Sequence, residues 1–471
     1  MSGESLLSLE DVLDSTGGVH VLGTGAFSFG SVQTDSRNVV KGTLFVPLIG
    51  EVQDGHTYIP QALEKGASVV FICMANYEKD SHFFTELSQK NPGVYFIAVE
   101  NTLHALQAAA GRYVEKFPNL IRVGVTGSSG KTTTKEILAA ILSRKYNLVC
   151  NEGNLNSETG LPLSVFKIRK EHELGLFEMG MNRAGEMGEI AAVLKPRFAV
   201  ITNIGTAHIG NLGSRENIAA EKARIFEHFH SFGTAVIPRE DDFASFLENQ
   251  VDGNVVFYGE GCDESISSVK DCGLDGTSFM VDGHKASLCL PGKYNFRNAL
   301  GAIALARVLG VSPEDIADGI SSLKPMFGRS QVLHGKYTVV QDCYNANPDS
   351  MEKAVDLISS LNGNAKILVL GDMLELGADS VAEHAKTGVQ ASHSGAALVV
   401  FAGDEMKSAY EAAKSEKGGC RCEYVAGRSD ESMKAVSSLV LSVAPEGAVV
   451  LVKGSRGMGL ERVVSMISEA K

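Results

Sequence analysis

No stretch of this chain stays apolar for anything near the roughly 18 residues that a membrane-spanning helix needs, so no span is expected. A basic field is also missing. Lys and Arg total 43 against 56 Asp and Glu, a net charge of −13 at pH 7. That balance excludes broad binding to nucleic acid or to an anionic membrane, while leaving room for a local basic pocket. The eight cysteines are scattered, and Cys420-Arg-Cys422 has no second pair nearby to make a zinc site. They read as reduced thiols of a cytoplasmic protein. The opening residues, Met1-Ser-Gly-Glu-Ser, lack the basic start and apolar core of a secretion signal, which points to the same compartment. No internal repeat or long low-complexity tract is visible. What is present is ordinary for a globular chain: 471 residues, 44% hydrophobic and 21% charged. That length predicts two to four domains. Fifty glycines suggest many short turns at strand ends.

The chain is organised around Gly124-Val-Thr-Gly-Ser-Ser-Gly-Lys-Thr-Thr-Thr-Lys135. The apolar run 120–125 reads as a buried strand. A helical pattern follows, with Ile137, Leu138, Ile141 and Leu142 on one face. Strand, glycine loop, lysine, threonine and helix make a phosphate-binding layout. Glycines let backbone N–H groups crowd an anion, and the helix N-terminus adds about half a positive charge. Lys131 can reach terminal phosphates, and the Thr132 hydroxyl can ligate Mg²⁺. The strict G-x-x-x-x-G-K-[ST] spacing would need glycine at 125, which is Val. The tighter core is G-x-x-G-K-T, from Gly127 through Ser128, Ser129, Gly130 and Lys131 to Thr132, with Thr133 next.

Three α/β units are expected around this loop. Residues 1–110 form a small α/β domain with strands over 44–48, 68–73 and 94–99 and a helix over 58–65. Polar turns, Thr34-Asp-Ser-Arg37 and Gly50-Glu-Val-Gln-Asp-Gly-His56, flank its first strand. They are either ordinary turns or one ligand-facing sheet end. Residues 111–323 form the central domain. There, 174–177 is a strand ending in Glu178, the place where nucleotidases hold Mg²⁺ downstream of a phosphate loop. His208 falls just past the strand 198–202, so both side chains can face one site. The polar loop 151–162 carries Asn154, Asn156 and Thr159. A helix over 215–229 contains Lys222, which by pattern alone is an exposed helical lysine. A short β-rich insertion covers about 263–290. Asn295 and Asn298 lie on one face of the first turn of a helix reaching 309. The run 323–329 reads as a link, and residues 324–471 form a doubly wound βαβα domain. Its strands at 337–341, 367–370, 397–401, 422–425 and 448–452 are followed by polar groups, among them 371–375 and 453–456.

Several runs together resemble the Mur ligase family of ATP-dependent amide-forming enzymes. They are Gly127-Ser-Ser-Gly-Lys-Thr-Thr133, Glu178-Met-Gly-Met-Asn-Arg-Ala-Gly-Glu186, Thr202-Asn-Ile-Gly-Thr-Ala-His208 and Asp342-Cys-Tyr-Asn-Ala-Asn-Pro-Asp-Ser-Met351. The resemblance covers nearly the whole chain. Its last run is similar to the member that adds D-alanyl-D-alanine to UDP-N-acetylmuramoyl-tripeptide; a sibling adding a different amino acid is the alternative. The resemblance implies that Ser36, Arg37, Asp54 and His56 bind the UDP end of the substrate, with Asn154, Asn156 and Thr159 in the central site. It implies that residues 127–133 hold ATP phosphates, and that Asn298, Arg329, Asp342, Tyr344 and Asn345 bind nucleotide. Thr132 and Glu178 would serve one Mg²⁺ and His208 a second, and Lys222 matches a lysine that several members carbamylate, turning its ammonium into a metal-binding carboxylate. Family members commonly have His where Tyr294 stands and often have Glu where Arg224 stands. The implied chemistry needs no protein nucleophile, so the lack of a Ser-His-Asp set is expected. The protein is expected to act in the cytoplasm as a monomer.

Overall fold

The computed structural model describes residues 5–363, 365–416 and 418–469. Its short apolar runs gather into four sheets. The N-terminal sheet has the order Val19–Leu22, Tyr95–Val99, Ala67–Cys73, Thr43–Phe45, Ser31–Gln33. Val19–Leu22 pairs antiparallel and the rest are parallel. Two of these strands were not expected. Val19–Leu22 buries none of its residues, and Ser31–Gln33, with Val32 alone buried, is too short to establish a period.

The central sheet is parallel throughout, in the order Gly253–Tyr258, Gly233–Pro238, Phe198–Ile201, Ile121–Thr126, Leu174–Glu178, Leu148–Cys150. A parallel sheet is covered on both faces. Here Thr102–Glu115 and Glu186–Leu194 cover one face, and Lys131–Leu142, Lys293–Val308 and Pro313–Ser321 the other. The strand leading into the glycine loop therefore sits mid-sheet, between the strands that end at Glu178 and near His208. The expected insertion is a three-stranded antiparallel sheet, Ile266–Asp271, Thr277–Val281 and His284–Leu288.

The C-terminal sheet has the order Gln331–His334, Thr338–Asp342, Val449–Lys453, Lys366–Gly371, Leu398–Ala402, Arg421–Val425. Only the first of these strands runs antiparallel to its neighbour, and it is the one the sequence pattern does not announce. The helix expected over 215–229 is shorter. It spans Arg215–Ala223 and tightens into a 3-10 turn at Arg224–Phe226. Burial of Ile225, Phe226 and Phe229 carries the apolar pattern onward through i→i+3 bonds, such as Phe229 N–H to Phe226 O at 3.0 Å.

The domains meet in two different ways. One apolar core runs unbroken from the N-terminal sheet into the central domain. It joins Val69, Phe71 and Ile97 through Leu106, Ala109 and Tyr113 to Leu161, Phe166 and Ile190. The C-terminal sheet keeps two cores of its own, one on each face. Leu274 of the insertion packs against the second of them. Around the cavity it meets the central domain through polar groups, and the Leu376–Gly377 backbone packs against Gly210.

Candidate active site

Strand Ile121–Thr126 hands over to the loop at Gly127, and helix Lys131–Leu142 starts from Gly130. Both glycines are obligatory. A Cβ on Gly127 would lie 1.9 Å from Thr202 Oγ1, and one on Gly130, at φ +82°, 2.5 Å from Asn298 Oδ1. Asn203 shapes the loop from the neighbouring strand end: its carbonyl accepts from Ser128 N–H at 3.0 Å and its Oδ1 from Ser129 N–H at 2.9 Å. The helix start carries no side-chain cap, so its first N–H groups are available to an anion.

Lys131 folds back and donates to Gly127 O at 2.8 Å. Lys222, buried at 1% exposure, donates to the same carbonyl at 3.0 Å. Burial lowers both lysine pKa values. Glu178 opposes the shift at Lys131 while Arg329 adds to it. Lys222 is pushed well down, with the Lys131 charge adding to burial and Glu221 opposing it. Low dielectric disfavours an ammonium, and the neighbouring Lys131 charge disfavours it further at the buried Lys222. The lysine that reads from pattern as exposed is thus enclosed behind the loop.

Glu178 is 3% exposed and held on every side. Its Oε2 accepts from Thr132 Oγ1 and its Oε1 from Asn156 Nδ2, both at 2.6 Å. Asn151 grips its backbone twice, accepting from its N–H and donating to its C=O at 2.9 Å each. Arg329 donates to Thr132 Oγ1 at 2.8 Å and lies 4.0 Å over the Tyr344 ring. Among the described residues no three His, Cys, Asp or Glu side chains cluster as a complete metal cage. The hydroxyl and carboxylate of Thr132 and Glu178 fit Mg²⁺ nonetheless, because that ion takes one or two protein oxygens and fills its shell with water and phosphate.

These groups open onto a cavity of about 540 Å³ between the central and C-terminal domains. Residues 128–133, Asn154, Asn156, Glu178, His208, Asn298, Arg329, Asp342, Tyr344 and Asn345 all reach its wall. From the C-terminal side, Asp342 accepts from Lys453 Nζ at 2.7 Å and from Ser330 N–H at 3.1 Å. Asp349 accepts from Thr206 N–H of the central domain at 2.9 Å. His208, itself at φ +65°, places Nδ1 3.2 Å from Glu375 Oε2, outside hydrogen-bond geometry. The imidazole holds the Glu375 carboxyl below its usual range against the effect of burial. Asp349, Glu375 and Asn151 had no assigned role from sequence. Their signal is position alone: a strand end, a helix start, a polar loop.

Other expected residues lie elsewhere. Lys222 and Thr159 are off the cavity wall, as are Ser36, Arg37, Asp54 and His56. Ser36 is buried and donates to Gln61 Oε1 at 2.6 Å. Arg37 pairs with Asp35, whose carboxyl it pulls down to about 2. His56 uses both ring nitrogens internally: Nδ1 meets Asp54 Oδ1 at 2.6 Å, and Nε2 accepts from Cys73 N–H at 2.9 Å. Asp54 also accepts from Asn76 at 2.8 Å. His56 and Asp54 thus fix a turn in the N-terminal domain, with Arg37 exposed nearby.

A phosphate loop facing a clamped carboxylate, across a cleft from a doubly wound domain, defines a nucleotide-dependent ligase of the Mur type, and the chain belongs to the Mur ligase family. Three family descriptions match in order: "Mur ligase family, catalytic domain" over residues 28–114, "Mur ligase middle domain" over 125–306, and "Mur ligase, glutamate ligase domain" over 328–456. The UDP-N-acetylmuramoyl-tripeptide–D-alanyl-D-alanine ligase of Treponema pallidum is 41% identical over 467 residues, 99% of this chain and all of that one. The Bacillus subtilis enzyme of the same name is 34% identical over 93% of each chain. Among solved structures, MurF from Acinetobacter baumannii matches with a TM-score of 0.85 at 29% identity, covering 98% of both chains. MurF from Thermotoga maritima, in complex with ADP, matches with 0.76 at 27% identity, over 93% of this chain and 97% of that one.

Proposed function

We infer that this chain joins D-alanyl-D-alanine to UDP-N-acetylmuramoyl-tripeptide at the expense of ATP, completing the peptidoglycan pentapeptide precursor. The observation that carries this reading is end-to-end likeness to ligases of that name, combined with a phosphate cavity walled by two domains. The chemistry divides into two displacements. A tripeptide carboxylate oxygen attacks the γ-phosphorus of ATP, the β,γ-bridging P–O bond breaks, and ADP leaves. The acceptor ammonium gives one proton to solvent, the free amine attacks the acyl carbon, the C–O bond to phosphate breaks, and a second proton passes from nitrogen to the departing phosphate, leaving the amide N–H.

The residues position and neutralise. Gly127 to Thr133 cradle the β- and γ-phosphates, and Lys131 swings from the Gly127 carbonyl onto them. Asn298 and Arg329 take the nucleotide, with Asp342, Tyr344 and Asn345 closing from the C-terminal side. Thr132 and Glu178 would hold one Mg²⁺ and His208 would serve a second; bound there, the ions would offset the repulsion between carboxylate and triphosphate. Lys222, held as a low-pKa amine, suits carbamylation, which needs the neutral form. Ser36, Arg37, Asp54 and His56 form the UDP end, and Asn154, Asn156 and Thr159 the muramyl-peptide contacts. No described helix is long and apolar enough to cross a membrane. The free cysteines support a cytoplasmic setting, and the chain is read as a monomer.

The test is phosphate release from purified protein with ATP, Mg²⁺, UDP-N-acetylmuramoyl-tripeptide and a panel of amine acceptors. D-alanyl-D-alanine should give the highest kcat/KM. Release with another amine alone would assign a sibling ligase, and no release above an ATP-only control would defeat the reading.

A further inference from the structure

The acceptor enters this cavity as an ammonium ion, which a carboxylate is suited to orient. Seven carboxylates reach the wall, and six are committed. Glu178 is held by Thr132 and Asn156. Asp342 pairs with Lys453 and Asp349 caps Thr206. Asp241 accepts from the N–H groups of Ile204 and Phe243, at 2.8 and 3.0 Å. Asp242 pairs with Arg215 and Glu240 with Arg297. The seventh, Glu375, has only the imidazole of His208 beside it, and 64% of its side chain is exposed.

The loop that presents Glu375 is fixed. Met373 N–H donates to His384 Nε2 at 3.0 Å, and that imidazole is fully buried. Leu374 N–H donates to Ser455 Oγ at 2.9 Å, while Ser455 N–H donates to Asp372 O at 3.0 Å. The Asp372 carboxylate takes the N–H groups of Asp404 and Met406 at 3.1 and 2.9 Å. At the end of this anchored run Glu375 sits at φ +69°, a conformation that costs free energy for a side chain with a Cβ. Neighbours that hold the preceding amides keep that conformation and aim the carboxylate into the cleft.

We propose that Glu375 is the seat of the acceptor ammonium, reaching from the C-terminal domain to orient the amine toward the acyl carbon. This rests on the reading of the chain as an amine-using ligase. Glu375→Gln keeps the shape and removes the charge. It should raise the KM for D-alanyl-D-alanine about tenfold to a hundredfold, the size of one lost charge-assisted hydrogen bond. The KM values for ATP and UDP-N-acetylmuramoyl-tripeptide should stay unchanged. Scrambling of the β,γ-bridging oxygen label of ATP, measured with the tripeptide and without acceptor, should also persist, because it reports only acyl-phosphate formation. N-acetyl-D-alanyl-D-alanine, which lacks the ammonium, should inhibit wild type and variant alike, and Glu375→Asp should recover part of the acceptor affinity.

An unchanged acceptor KM overturns the proposal. If scrambling is then lost as well, Glu375 serves to orient His208. Wild-type protein inactive with D-alanyl-D-alanine but active with another amine would instead overturn the substrate reading, and the same KM comparison then tests the seat with that amine.

Discussion

The two domain junctions differ in kind. Toward the N-terminal domain, Thr102–Glu115 buries Ala105, Leu106, Ala109, Tyr113 and Val114 in a core shared with the central domain. Toward the C-terminal domain, the contacts near the cavity are mostly single polar ones, such as Arg329 to Thr132, Asp349 to Thr206, and His208 beside Glu375, with close backbone packing at Gly210 and Gly377. Separating the first exposes a continuous apolar surface, at roughly 25 cal/mol for each Å². Separating the second exchanges hydrogen bonds with protein for hydrogen bonds with water, at a net cost of about 1 kcal/mol each. One junction is therefore built to stay and the other to open. Phosphate loop, clamped carboxylate and C-terminal residues meet at the one that opens, where closure can expel water from an acyl phosphate.

The sharpest way to break this contrast is at the loop. Lys131→Ala should lower acyl-phosphate formation by a thousandfold order of magnitude. Binding of the UDP-linked substrate, measured by calorimetry, should be nearly retained, since its proposed UDP contacts lie on the far side of the fixed junction. Equal loss of both would dissolve the distinction.

Next in size is the fixed junction itself. Leu106 is fully buried, and Leu106→Ala should cost about 2–5 kcal/mol of stability. Thermal unfolding should shift down, while turnover of the folded fraction survives. At the opening junction the signs reverse. Asp349→Ala should lower kcat about tenfold by loosening closure, yet change stability by no more than about 1 kcal/mol. A large stability loss there would mean the polar junction is as fixed as the apolar one. The smallest effect is expected at Arg37→Ala. The KM for UDP-N-acetylmuramoyl-tripeptide should rise about threefold to tenfold, with kcat and thermal stability unaltered.

Which parts were legible in the sequence follows from the same contrast. The glycine loop is local: a strand, a glycine run and a helix in continuous sequence, so its conformation reads directly. The parallel strands of the central and C-terminal sheets are buried on both faces and appear as plain apolar runs. The edge strands Val19–Leu22 and Gln331–His334 bury none of their residues and leave no such mark. The end of the helix at Ala223 was hidden because apolar periodicity continues through Phe229. Lys222 looked like a surface lysine since nothing nearby in sequence says that Gly127 lies above it. Asp349 and Glu375 acquire meaning only from contacts across the opening junction, between residues more than 140 apart in the first case.

Hydrogen exchange tests the central claim most directly. The chain should be compared alone and with UDP-N-acetylmuramoyl-tripeptide plus a non-hydrolysable ATP analogue. Amides at 203–208, including the Thr206 N–H that Asp349 accepts, and those at 345–351 should gain protection on binding. Amides along 102–115 should exchange equally slowly in both states. Unchanged protection at 203–208 and 345–351, or a gain confined to 102–115, would contradict an account in which the chemistry occurs at the junction that closes.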